Sequence, residues 1–155
     1  MPDVDVGDVI DAWFAQQDGL DVERMGEDGW LTVLHGERKR AIPVYLGLGD
    51  HTLVIESFFM AAPDERHDEV YRYLLQRNLR TYTLRFAVYD SGDLMLVGVL
   101  PRHAVTSHEL DRTLGQLLTV ADETYWPAIR LGFTSYIERE QTWREKVGLR
   151  RNPIS

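Results

Sequence analysis

Three runs in the first half of the chain restrict its fold more than anything else: GWLTVLHG from Gly29, RAIPVYLGLGD from Arg40 and HTLVIESFFM from His51. Each is rich in β-branched and aromatic residues, and only GERK and GD turn chemistry separates them. Parallel neighbours need a crossover of about a dozen residues or more, and gaps this short do not supply one. The runs therefore predict three consecutive antiparallel strands. TYTLRFAVYD and DLMLVGVL add two more, joined across Asp90-Ser91-Gly92-Asp93, a hairpin signal. Pro43 has no N–H for a ladder, so its strand is expected to have an unpaired side or a bulge there.

Helical patterns surround these runs. VGDVIDAWFAQQDG places Val6, Ile10, Trp13 and Phe14 at helical spacing and stops at Asp18-Gly19. APDERHDEVYRYLLQRN, from Ala62 to Asn78, follows the third strand. SHELDRTLGQLLTVADETYWPAIRLGF, from Ser107, predicts a long helix with Leu110, Leu114, Leu117, Leu118, Ala121, Tyr125 and Ala128 along one flank. Thr106 or Ser107 can cap it, and Pro127 is expected to kink or break it near Tyr125. SYIEREQTWREKVG can add a short helix. The order α-β-β-β-α-β-β-α plus a tail predicts a single α+β domain over residues 1–155. It has a five-stranded antiparallel sheet, a core over about residues 5–133 and a short C-terminal helical tail over 134–155.

The strands carry apolar residues at both parities. Ile42, Val44, Leu46, Leu53, Ile55, Leu84, Phe86, Leu94 and Leu96 can face the helices, while Tyr45, Val54, Phe58, Tyr89, Met95, Val97 and Val99 point the other way. An antiparallel sheet with one solvated face alternates to polar residues instead. Two apolar faces need two covers. Either the chain folds a helix or its tail over the second face, or that face meets a partner.

Composition narrows the function. Fifteen of the 17 basic residues are Arg, and the net charge is −8 with a pI near 5.0, which argues against a nucleic-acid backbone as partner. Residues 1–70 hold 16 Asp and Glu against 5 Lys and Arg; residues 71–155 hold 9 against 12. That asymmetry suits head-to-tail association or a basic partner, and a solvated surface explains it equally well. No apolar run approaches the roughly 18 residues of a spanning helix, and the acidic N-terminus lacks a signal-peptide pattern. With no cysteine there is no disulfide frame and no thiolate chemistry. A cytoplasmic protein without a membrane partner is expected.

The densest polar chemistry, Asp64, Glu65, Arg66, His67, Asp68 and Glu69, invites a metal-site reading. Metalloprotease-type ligation needs a second His four residues after the first, and Tyr71 stands there. The acids suit the positive end of a helix dipole, with Pro63 setting the start and Asp64 capping. Asp68 and Arg72 are spaced to pair, and Asn78 is a plausible left-handed stop. The five His residues are scattered, GLGDH lacks the third glycine of a dinucleotide loop, and DVDVGD lacks the spacing of a calcium loop. No catalytic residue, cofactor or metal is assigned. Trp126, Phe133, Tyr136 and Trp143 crowd the C-terminal quarter, where Trp and Phe are expected to seal the bottom of the core. Trp143, in a charged segment beside Arg144, is the exception that must find apolar surface in this subunit or another.

LVIESFFMAAPDERHDEVYRYLLQRN, FAVYDSGDLMLVGVLPRHAVTSHELDRTLG and IRLGF followed by TWREKVGLRRN together resemble the YbjN domain family, particularly its actinobacterial members. The likeness runs from about Gly29 to Asn152. It implies a fold similar to the type III secretion (Tir-type) chaperones, small acidic homodimers that bind extended client segments. It also implies the label of sensory transduction regulator, and it brings no catalytic or cofactor residue. Family motif residues Pro63, Asn78, Gly92, Asp93, Gly98, Asp111 and Trp143 all have structural readings.

The resulting expectation is a non-enzymatic protein-binding module that homodimerises and meets an unidentified protein partner. Val70, Tyr71 and Leu74 on the second helix, Phe58, Met95, Val97 and Val99 on the sheet, and Trp143 with Arg144 in the tail are the candidate contacts. The alternatives are a dedicated chaperone for one client, and a small-molecule sensor or enzyme using a cleft between sheet and long helix.

Overall fold

The five expected strands form, and a sixth joins them at one edge. The computed structural model describes residues 5–148. In chain order its elements are α1 (Val6–Ala15), β1 (Val22–Arg24), β2 (Gly29–Leu34), β3 (Ile42–Leu48), β4 (Thr52–Met60), α2 (His67–Arg77), β5 (Leu84–Val88), β6 (Leu94–Pro101), α3 (Ser107–Gly132) and α4 (Thr134–Lys146). Short 3-10 turns occupy Asn78–Arg80 and Arg102–Ala104. The unexpected strand is β1, whose three residues are all exposed. With no buried side chain it has no alternation to read. Pairing with β2 holds it, along with the Arg24–Asp11 ion pair at 2.8 Å.

The sheet order is β1-β2-β3-β4-β6-β5, antiparallel throughout. Register sorts the residues into rows. Trp30, Leu46, Ile55, Gly98 and Leu84 align across five strands and are buried. One residue along, Leu31, Tyr45, Glu56, Val97 and Arg85 align and are all at least partly exposed. All nine residues assigned to the helix side from alternation are buried. Pro43 has the expected unpaired side: register with β4 lapses beyond Tyr45, and the Ser57 hydroxyl donates to the Pro43 carbonyl at 2.6 Å.

α1, α2 and α3 cover the inner face. α1 inserts Ile10, Trp13 and Phe14, and Trp13 Nε1 donates to Asp111 of α3 at 2.7 Å. α3 contributes Leu110, Leu114, Leu117, Ala121 and Ala128 to the same core. A fully buried Leu in such a core contributes about 1.5–3 kcal/mol. Thr106 caps α3 as expected, its hydroxyl accepting from the Glu109 N–H at 3.1 Å.

Two local expectations need correction. α3 runs through Pro127 as one helix. The carbonyl that loses its partner there belongs to Glu123, an exposed residue, so water can satisfy it. The break comes at Phe133 instead. The polar cluster also does not start α2 in the expected way. The helix begins at His67, behind Arg66 in the left-handed region (φ 52°), and Asp64 does not cap it. The N–H groups of Asp64 and Glu65 donate to Gly132 O at 3.0 and 3.1 Å, closing the end of α3. The approach is close enough that a Cβ on Gly132 would lie 2.8 Å from Pro63 Cβ. Glu65 then caps α4, accepting from Ser135 N at 2.7 Å and Ser135 Oγ at 3.0 Å. These bonds hold the Glu65 carboxyl below its ordinary range. The cluster is a clasp between three helices. The expected Asp68–Arg72 pair is not among the ion pairs of the described residues.

Candidate functional site

The outer face of the sheet lies open. Val99 is 55% exposed, Phe58 and Val33 38% each and Tyr45 36%, with Leu31, Val54, Met95 and Val97 half-buried around them. Val54 opposes Val99 and Phe58 opposes Met95, so the apolar side chains form one patch across β4 and β6. α1, α2 and α3 pack on the more continuous apolar rows of the other side, which leaves this face to solvent.

One charged residue interrupts the patch. Glu56 sits in the central row between Tyr45 and Val97. Its Oε2 accepts from the hydroxyl of Tyr89, the residue after β5, at 2.7 Å, a bond that reaches across β6, which lies between β4 and β5 in the sheet. Partial burial, then the bond to Glu56 and its charge, push the Tyr89 phenol up to about 12. Arg85 shares the row but does not answer Glu56. Its guanidinium donates to Thr81 O, Thr81 Oγ1 and Leu84 O at 3.0, 2.9 and 2.6 Å. Among the described residues no cation pairs with Glu56.

Lys39, in the β2–β3 loop, borders the patch. Only 8% exposed, it sets its ammonium 4.8 Å from the Tyr125 ring centroid and 5.9 Å from that of Phe58. Burial holds this amine below the ordinary lysine value. Asp122 of α3 fixes the loop by accepting from the N–H groups of Arg38 and Lys39 at 2.7 and 2.9 Å. Partial desolvation raises the Asp122 pKa, but these donors and the Arg38 charge outweigh it and leave it lowered.

α2 shows which interface candidates were misjudged. Val70 and Leu74 are 0% and 3% exposed and belong to the core, because their spacing places them toward α3 and the sheet. Leu75 and Leu79 are the exposed ones, at 63% and 86%, with Tyr71 half-buried beside them. Between α2 and β5 runs an apolar groove of about 260 Å³ lined by Tyr71, Leu75, Phe86 and Val88. Asn78 does not stop α2 in the left-handed region; its φ is −59°. Its carboxamide instead pairs with the outward backbone of Phe86, donating from Nδ2 to O at 3.3 Å and accepting at Oδ1 from N–H at 2.7 Å. A side chain thus occupies the open edge of β5 at that point.

In the tail, Trp143, the expected exception, is 56% exposed and Tyr136 54%, while Trp126 and Phe133 are half-buried. Arg144 pairs with Glu140 one turn away at 3.0 Å. The space between the sheet and α3, where a ligand cleft was an alternative, is filled by buried Leu53, Ile55, Leu96, Leu110 and Leu117. No helix among the described residues is long and apolar enough to cross a membrane.

The sequence matches the model of the YbjN family, described as "Putative bacterial sensory transduction regulator", over residues 7–128. The chain belongs to the YbjN family. It is 43% identical over 118 residues to an uncharacterized protein of Mycobacterium tuberculosis, the match covering 76% of this chain and 64% of that one. An uncharacterized protein of Mycobacterium leprae is 38% identical over 124 residues, 78% of this chain and 67% of that one. The alignment with the first thus spans less than two thirds of the relative's length. Among solved structures, a chain of the HopA1–SchA chaperone–effector complex superposes with a TM-score of 0.52 at 14% identity, over 77% of this chain and 95% of that one. A chain of the ExoU–SpcU complex from the type III secretion system of Pseudomonas aeruginosa gives 0.51 at 18% identity, over 77% and 96%. This YbjN protein therefore has the α+β fold its element order predicts and the chaperone-like form the family resemblance implies, with six strands where five were expected.

Proposed function

We propose that this YbjN protein is a non-enzymatic, cytoplasmic protein-binding module that works as a homodimer and uses the outer face of its sheet to hold a protein partner. The observation that carries the reading is the contiguous apolar patch around Phe58, Val97 and Val99, which α1, α2 and α3 leave open. Self-association is assigned to a second exposed feature, the Tyr71–Leu75–Leu79 ridge and the groove beside β5. A ridge next to a groove is self-complementary about a two-fold axis. Antiparallel α2 helices would also bring Asp68 and Glu69 of one copy toward Arg77 and Arg80 of the other.

Light scattering across a concentration series tests the dimer. Twice the 17.9 kDa of one chain is expected for the native protein, and Leu75→Asp with Leu79→Asp is expected to return it to one chain. A native mass that stays at one chain throughout would remove the dimer from the proposal. Val99→Asp tests the sheet face, and partner binding that survives it would count against that surface.

A second reading is a dedicated chaperone for one protein client. The superposition on chains from two chaperone–effector complexes favours it. Co-purification of a single stoichiometric polypeptide, lost with Val99→Asp, would select this reading over a general regulator.

A further inference from the structure

Glu23 and Arg85 stand at the two ends of the outward row, on β1 and β5, but within its apolar middle the open face carries one charge, Glu56, and that charge constrains what can cover it. Glu56 lies between Tyr45 and Val97 in its row and between Val54 and Phe58 along its own strand. A carboxylate accepts about four hydrogen bonds, and Tyr89 supplies one. While the face is open, water completes the set. Any molecule that covers the neighbouring apolar side chains strips that water away, and a desolvated carboxylate without a partner is costly. The cations bordering the face do not fill the need: Arg85 is turned onto Thr81 and Lys39 is held over the rings of Tyr125 and Phe58.

We propose that the outer face recognises an amphipathic segment of a partner protein that carries a single Lys or Arg within an apolar stripe, the cation pairing with Glu56. This rests on the protein-binding reading above and adds the chemistry of the partner. Complementarity of charge selects the occupant. The net charge of −8 attracts a basic segment, and Glu56 fixes where in the segment the charge must fall. A second copy of this chain is disfavoured on this face, because a symmetric pair centred here would set Glu56 against its own image. Tyr89 orients the acceptor, leaving Glu56 Oε1 for the incoming cation.

The test is selection from a random peptide-display library against the purified full chain, then titration of the enriched peptides in synthetic form. Enriched peptides are expected to place one Lys or Arg among alternating or helically spaced apolar residues. Their affinity is expected to fall about tenfold or more in Glu56→Gln, the range for losing a bond to a charged group. Glu56→Arg is expected to select acidic residues at the same place. Both variants change an outward-facing side chain, and circular dichroism confirms that they fold. Peptides that depend on Val99 but show no basic preference, or bind Glu56→Gln unchanged, overturn the cation assignment and leave the docking surface standing. Enriched peptides indifferent to Val99→Asp, or no enrichment at all, overturn the docking surface itself. If Val99→Asp dissolves a dimer of the native chain, the occupant is a second copy and the proposal fails.

Discussion

Replacing Asn78 with Ala removes one carboxamide that serves two backbone groups of β5. In the native protein the Phe86 N–H donates to Oδ1 at 2.7 Å and the Phe86 carbonyl accepts from Nδ2 at 3.3 Å. The first is a well-formed bond and the second a long one, and both are partly buried. A typical bond contributes about 0.5–1.5 kcal/mol net, and an orphaned backbone group costs about 1–3 kcal/mol when water cannot reach it. Because β5 is the edge strand, water recovers part of the loss, so Asn78→Ala is expected to destabilise by about 1–2 kcal/mol. With a urea slope of about 1.5–2 kcal/mol per M, the unfolding midpoint falls by about 0.5–1.3 M at an unchanged slope. Faster aggregation on heating should accompany it, because the exposed backbone of Phe86 becomes a template for strand pairing. Equilibrium urea unfolding followed by circular dichroism measures the first effect and turbidity the second. A midpoint shift below about 0.2 M would refute the reasoning, since the carboxamide would then be replaceable by solvent at no cost.

Three other perturbations have defined outcomes. A Cβ on Gly36 would lie 2.5 Å from both Asp122 Oδ1 and Lys39 O, so Gly36→Ala is expected to lose about 2 kcal/mol or more as the β2–β3 loop is forced off α3; thermal melts measure it. The lowered Asp122 pKa contributes stability that is present above the unfolded carboxylate value near 3.8 and lost as pH falls through the lower folded value. Melts of Asp122→Asn between pH 5 and about 2.5 should therefore show a flatter acid limb than the native protein. Lys39 runs the other way. Its amine is lowered by burial, so its cost is greatest below the folded value and is relieved as pH rises toward 10.5. Lys39→Met is expected to match or exceed native stability at pH 7, and the native protein should close that gap by about pH 10; a Met variant clearly weaker at pH 7 would show that the two ring contacts outweigh the burial cost.

Much of the fold was legible because it depends on periods that survive in one dimension. Alternation in RAIPVYLGLGD and HTLVIESFFM assigned the side chains from Ile42 to Phe58 that it named to their faces, and the turn residues between the runs left only antiparallel neighbours. It did not place Phe59 and Met60, which are both buried where the register shifts. β1 was invisible because VER buries nothing. The polar cluster from Asp64 was legible as structural, but its work was not. That Glu65 caps α4, 70 residues away, depends on where α3 ends. Of the candidate contacts, Phe58, Val97 and Val99 kept their places on the open face, while Val70 and Leu74 were lost to the core by the rotation of α2. Glu56 carried a signal that went unread, an acid at the outward parity of an apolar strand.

The sequence by itself determined that there would be two apolar sheet faces, because side-chain direction in a strand follows residue parity and needs no knowledge of neighbours. Which face the helices would cover, and that one would stay open with a lone acid near its middle, was decided only when packing brought α3 and the Asp122-anchored loop to one side. Covering is a property of distant segments meeting, and the energy that settles it is shared among residues that no local pattern connects.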